Sequence, residues 1–176
     1  MKTYLRILVL VSSVALPTGA YAQQAARLAP PAVPADIRLS PSEFVPFLAA
    51  HAVGTQGYFC TAIGTSYSWM PFGPQATLFN ADGQQILTHF LSPTPYSLLP
   101  APTWQHSRDS SVVWGQVIAP SSDPAYVAPD AIPWLLLEAT VVGDGPTGGD
   151  TLLKTRRIQR EHGRRQGARD RLQPAG

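Results

Sequence analysis

From about residue 47 the chain alternates apolar and polar positions in short runs, broken by glycine and proline every ten or so residues. A period of two is the mark of a half-buried strand. Residues 47–62 (FLAAHAVGTQGYFCTA) show it first, with glycines that permit a bend or bulge. Residues 67–72 (YSWMPF) form a short aromatic run closed by Pro71. Residues 76–90 predict a hairpin, with ATLF and ILTHF flanking Asn80-Ala81-Asp82-Gly83. Residues 92–102 hold four prolines and predict a loop, and residues 120–129 (PSSDPAYVAP) a second one. Between these loops, residues 112–118 (VVWGQVI) are a strong β stretch. Residues 132–142 (IPWLLLEATVV) form the most hydrophobic segment after the leader and predict a central strand, with Trp134 and Leu136 on its core face. Residues 143–150 (GDGPTGGD) predict a turn and residues 151–160 one more strand. No amphipathic helix longer than a turn or two separates these runs. The expectation is therefore an all-β single domain over residues 37–160, a sandwich or barrel-like sheet.

The first 22 residues read differently. Lys2 and Arg6 precede an apolar run at Ile7–Pro17, and Ala20-Tyr21-Ala22 is a small-x-small cleavage site. The run is too short to span a bilayer, which needs about 20 apolar residues. The segment 1–22 is thus expected to be a cleaved signal peptide that sends the chain to the periplasm or the exterior, with no transmembrane segment after its removal. Residues 23–36 are rich in Pro and Ala and are expected to be an extended linker that does not pack on the domain.

Charge divides the remainder. Residues 23–153 carry three basic and nine acidic side chains, and residues 154–176 carry eight basic and two acidic ones. A basic run suggests nucleic acid or an anionic surface. Nucleic acid is not the favoured partner here, because a competing cause for the tail exists, given below. Cys60 is the single cysteine, an odd thiol for an exported chain.

Candidate chemistry is sparse. The capable side chains of the body are His51, His89, His106, Asp82, Asp109, Asp130 and Glu138. His89 and His106 flank the Pro-rich segment, and Asp109 lies three residues past His106. Brought together they could hold a divalent metal or act as an acid/base pair. The competing expectation is that His89 ends a strand and His106 packs beside Trp104. A G-x-S-x-G elbow is absent, since Gly64-Thr65-Ser66 lacks the following glycine. Asp130 and Glu138 are eight residues apart along one strand, too far for a glycosidase pair. No cofactor is expected. Of the four tryptophans, Trp114 and Trp134 sit in predicted strands and are expected in the core. Trp104, Tyr96 and Tyr126 fall in predicted loops and are the candidates for an exposed ligand-binding platform, for carbohydrate or an envelope component.

Four segments carry a resemblance in order and spacing. They are Ala50–Cys60 (AHAVGTQGYFC), Ala76–His89 (ATLF-x2-DG-x4-TH), Pro102–His106 (PTW-x-H) and Asp130–Leu136 (D-x-IPWLL). Together they resemble the secreted domain-of-unknown-function family 3455 of bacteria and fungi. The resemblance implies export and an all-β domain, and implies no reaction. Some members carry dehydrogenase names, but this chain has no G-x-G-x-x-G after a strand. The family pattern has Asp-Gly-Ser where this chain has Asp109-Ser110-Ser111. After Ile158-Gln159-Arg160 the family pattern runs to a further β segment with a cysteine, whereas this chain continues EHGRRQGARDRLQPAG. Read one base later, codons for 161–173 permit Asn-Thr-Gly-Gly-Gly-(Lys or Arg)-Ala-Pro-Ala-Thr-Gly-Cys. The expectation is a frame-slipped, disordered basic tail over 161–176, a domain lacking its last strand, and a Cys60 without the partner intact relatives would supply. The functional expectation is an exported, non-enzymatic binding protein. The alternative is a metal-dependent or acid/base enzyme using His89, His106 and Asp109.

Overall fold

The computed structural model describes residue 28 and residues 31–129 and 131–161. Residues 1–22, expected to be a signal segment, half of the expected linker (residues 23–27, 29 and 30), Asp130 and the tail beyond Glu161 lie outside the described residues. Among the described residues seven antiparallel strands follow one another in chain order and pair only with their neighbours in sequence: β1 (His51–Ile63), β2 (Ser66–Phe79), β3 (Gln85–Thr94), β4 (Ser97–His106), β5 (Val112–Ser121), β6 (Trp134–Gly143) and β7 (Arg157–Arg160). The result is a single curled sheet, a half-barrel; it is not a sandwich, and it does not close from β7 onto β1. No α-helix occurs among the described residues; Ala35–Ile37 is one turn of 3-10 helix.

Successive residues of β6 enter different clusters, as the pleat requires. Leu137 joins Leu78, Ile86, Leu87, Trp104, Val113 and Leu152 on the concave face. Trp134 and Leu136 join Val33, Ile37 and Val127 on the opposite face. The core-face assignment of Trp134 and Leu136 thus holds. The strand itself lies next to the β7 edge, paired to β5 and β7, and not at the sheet's middle.

What fills that second face was not expected. Val33, Pro34 and Ile37 are buried, Ile37 completely. The idea that residues 23–36 stand off the domain is therefore corrected at Val33 and Pro34. A proline-rich segment cannot form a regular α-helix, but it can lie in a groove with a single 3-10 turn at Ala35–Ile37 and bury the ring of Pro34. The segment is held by Gln159 Nε2, which donates to the Ile37 carbonyl at 2.8 Å, while Arg38 donates back to the Val33 carbonyl within the segment at 3.0 Å. It then passes round the β7 edge. Phe44 sits beneath the Arg157 guanidinium, Phe47 beneath Lys154, and Leu48 reaches the concave cluster.

Three strand boundaries differ from those the sequence predicts. Residues 66–79 are one strand, not two, although Pro71 and Pro74 fall inside it. The predicted loop at 92–102 is strand, with Pro93 paired opposite Pro100 and Pro102 opposite Leu91. The predicted strand at 151–160 is strand only over Arg157–Arg160. One physical cause explains the first two. β2 pairs with β3 only at Ala76–Phe79, and β4 pairs with β5 only at Thr103–Gln105. Beyond those points β1–β2 and β3–β4 run on as two-stranded arms, where a proline can turn its missing donor toward the open side.

The turn at Asn80–Gly83 forms as its residues predict. Asn80 Oδ1 accepts from the Asp82 and Gln84 amides at 3.0 and 2.9 Å, and Gly83 takes a φ of 73°.

Candidate functional site

An antiparallel meander sends alternate turns to opposite ends of the sheet. The β1–β2, β3–β4 and β5–β6 connections share one end; the β2–β3, β4–β5 and β6–β7 connections share the other. The sequence-derived candidates are split between the two ends and the middle.

Trp104 lies in the middle and is 7% exposed, so its assignment as a loop platform is overturned. Pro100 and Pro102 do not break β4, so the tryptophan enters the sheet and its ring turns into the concave core. Gly115 on β5 makes room for it, since a Cβ there would meet the Trp104 ring at 3.2 Å. The ring that packs on Trp104 is His89, not His106: the two ring centroids are 4.0 Å apart and the planes are tilted by 7°. His89 Nδ1 donates to the Thr103 carbonyl at 2.8 Å. Burial lowers the His89 pKa from 6.5 to about 4; the Thr103 carbonyl opposes this and the Arg160 charge adds to it. Arg160 is itself shifted down by burial, against the pull of Tyr58, and donates to the Pro133 carbonyl at 2.7 Å.

This arrangement has a consequence for stability. A histidine kept neutral in the fold binds its proton more readily when unfolded, so stability is complete above the unfolded value near 6.5 and is lost as pH falls toward 4. Between about pH 7.5 and about pH 5 the loss should be about 2 kcal/mol. Urea unfolding at the two pH values measures it. His89→Gln should flatten the dependence; an unchanged slope in that variant would show that another group titrates.

His106 and Asp109 lie at the end of the β4–β5 turn. His106 Nδ1 donates to Asp109 Oδ1 at 2.8 Å. The same oxygen accepts from the Ser111 amide at 3.0 Å and the Ser111 hydroxyl at 2.7 Å, and Oδ2 accepts from the Thr151 amide at 3.0 Å. Desolvation, which favours the neutral acid, is outweighed by these hydrogen bonds from Thr151 and Ser111, and Asp109 is held well below the usual carboxylate range. Ser111 Oγ in turn accepts from the Leu152 amide at 3.1 Å. The carboxylate therefore ties the β4–β5 turn to the β6–β7 connection. A serine, a histidine and an aspartate meet here, but not as a nucleophilic triad. The aspartate stands between the other two, so the imidazole cannot take the hydroxyl proton, and Ser111 is fully buried.

Sequence reasoning missed Ser110, Ser111, Thr147 and Thr151 as parts of this knot. One signal pointed to it. Where the family pattern has glycine, Ser110 takes a φ of 55°, a left-handed conformation that favours glycine. The serine is held there by Thr147, whose hydroxyl bonds Ser110 Oγ and whose amide donates to it at 3.1 Å. Gly145 lies against the Ser110 carbonyl so closely that a Cβ would clash with it.

His89, His106 and Asp109 do not converge. His89 is committed to Trp104 and Thr103, and His106 and Asp109 to the knot. His51 is exposed at the start of β1, and Asp82 sits in the β2–β3 turn. Glu138 pairs with Arg157 at 2.9 Å, while Asp130 is outside the described residues. Among the described residues no group of three or more His, Cys, Asp or Glu side chains could hold a metal ion.

The other end is aromatic. Tyr96, in the β3–β4 turn, is 86% exposed, and Tyr67 beside the β1–β2 turn is nearly as open. Tyr126, in the β5–β6 connection, meets Trp134 edge-on at 6.1 Å and stays partly exposed. Tyr67 was not among the candidates. Trp69 and Phe72 on the β2 arm are also exposed.

A family model described as "Protein of unknown function (DUF3455)" matches residues 41–164. The chain belongs to the DUF3455 family. No curated protein matches it, and no solved structure does. The DUF3455 match takes in all seven strands, the concave core, the Asp109 knot and the aromatic end. It ends four residues past β7, so residues 165–176 fall outside it. The strap residues Val33, Pro34 and Ile37 precede the DUF3455 match although they complete one of the two cores.

Proposed function

We propose that this DUF3455 chain is an exported, non-enzymatic binding protein that takes carbohydrate or a cell-envelope component at its aromatic end. The observation that carries the reading is the exposure of Tyr67, Tyr96 and Tyr126 at one end of the sheet. Flat rings offer contact area at little entropic cost and stack well on sugar faces. The arms around Tyr67 are uncharged, as residues 51–79 contain no Asp, Glu, Lys or Arg, which suits a neutral ligand. The leader at residues 1–22 supports a destination where such ligands occur. The non-enzymatic reading is supported by His89, His106 and Asp109, each bonded within the fold and none of them at the aromatic end.

Cosedimentation with insoluble polysaccharides and peptidoglycan sacculi tests the reading, on protein recovered outside the cytoplasm and beginning at Gln23. Retention is expected. Tyr96→Ala or Tyr67→Ala should weaken it about tenfold, the worth of one stacked ring, without changing the melting temperature. Failure to bind any of these polymers, or binding indifferent to both substitutions, would sink the proposal.

A further inference from the structure

The two edges of the sheet are built differently. β7 is four residues long, carries Arg157 and Arg160, and is flanked by the chain's own strap at Ile37 and Phe44. A short, charged, covered strand is how a sheet edge is protected from unwanted pairing. β1 has none of these features. It is 13 residues long, contains no proline and no charged side chain, and pairs with β2 alone. Its outer row of amides and carbonyls has no strand partner among the described residues. Val53, Phe59 and Ile63 along it are about half exposed, and β2 behind it exposes Tyr67, Trp69 and Phe72. Among the described residues the distal half of this hairpin has no third strand, and an isolated two-stranded ribbon is marginal in water.

We propose that β1 pairs edge to edge with β1 of a second copy, antiparallel about a two-fold axis, joining two half-barrels into one continuous sheet. Charge decides for a second copy. With no Asp, Glu, Lys or Arg between residues 51 and 79, the edge has nothing to select an oppositely charged partner, while two copies meet there without like-charge repulsion. A two-fold contact is also self-complementary by construction. The chain's own residues 162–176 are chemically mismatched to this edge, since they hold four arginines against one leucine. A lipid surface would accept the exposed rings but leave the backbone row of β1 unsatisfied, which hydrocarbon does not tolerate. Edge pairing satisfies both the backbone and the apolar side chains, and it does not depend on what the tyrosines at the aromatic end bind.

Sedimentation equilibrium of the full chain over a dilution series is the test. A dimer is expected, and Val53→Lys and Phe59→Lys should each weaken it about tenfold or more, because a two-fold contact brings the new charge in from both copies. Circular dichroism of each variant checks that the monomer still folds. Hydrogen exchange supplies a reading that needs no variant: amides of residues 51–63 should gain protection as the wild-type protein is concentrated, while those of β5 do not change. A wild-type protein that stays monomeric, a dimer indifferent to both lysines, or concentration-independent exchange in β1 would overturn the proposal. So would a monomer that binds neutral phospholipid vesicles through the same residues.

Discussion

Trp104→Ala is expected to destabilise the fold by about 3–5 kcal/mol, the range for removing a large aromatic from a core that cannot collapse around the gap. The indole packs among Leu78, Leu87, Val113 and Leu137 and carries the His89 ring on its face. Gly115 lies tightly against it, since even a Cβ there would meet the indole at 3.2 Å, so truncating the indole leaves a gap beside a residue with no side chain to fill it. Urea unfolding followed by circular dichroism gives the number. A second effect should accompany it. Without the indole His89 is opened to water, its pKa should return toward 6.5, and the loss of stability on acidification should shrink. A change under about 0.5 kcal/mol, the range of surface substitutions, would place Trp104 outside the core and restore it as a ligand platform.

Leu136→Ala should cost about 2–5 kcal/mol for a different reason. Leu136 belongs to the smaller cluster, where β6 meets the strap residues Val33 and Ile37. Truncating it removes buried area and also the surface on which the strap is seated. Limited proteolysis should therefore cut the variant near residues 33–37, a region protected in the parent by the burial of Val33, Pro34 and Ile37. An unfolding free energy within about 0.5 kcal/mol of the parent, with the strap still protected, would show that this face does not depend on Leu136.

The two substitutions report on opposite faces of one strand. Leu136 points to the strap and Leu137 to Trp104. A single sheet with apolar side chains on both faces needs a cover on each. Here the curl covers the concave face, and a proline-bearing strap covers part of the other. Both covers stop short of the β1–β2 and β3–β4 arms, where Phe72, Leu98 and Leu99 remain exposed. The exposed surface and the unpaired β1 edge thus share one origin: strands that outrun their neighbours.

The sequence alone determined the all-β class, the Asn80–Gly83 turn, the strands around Val112 and Leu136, and the burial of Trp114 and Trp134. These follow from local chemistry: a period of two, a glycine with positive φ, and large apolar side chains in β-branched company. Trp114 even brings its own partner, with Nε1 donating to Ser92 Oγ at 2.8 Å. The tertiary structure decided the rest. Proline content predicts a break wherever a neighbour needs the missing amide, and only the sheet shows that Pro93, Pro100 and Pro102 lie on an arm with no such neighbour. Trp104 was misplaced by those prolines, and His106 was misplaced with it, because which ring stacks on which is set by cross-strand register: His89 faces Trp104 and His106 faces Leu87. The Asp109 knot joins residues about forty positions apart, a distance over which no spacing rule operates. The strap was hidden for the opposite reason. Its residues have the composition of a linker, and they are buried because β5 and β6 leave a groove whose apolar walls only their packing creates.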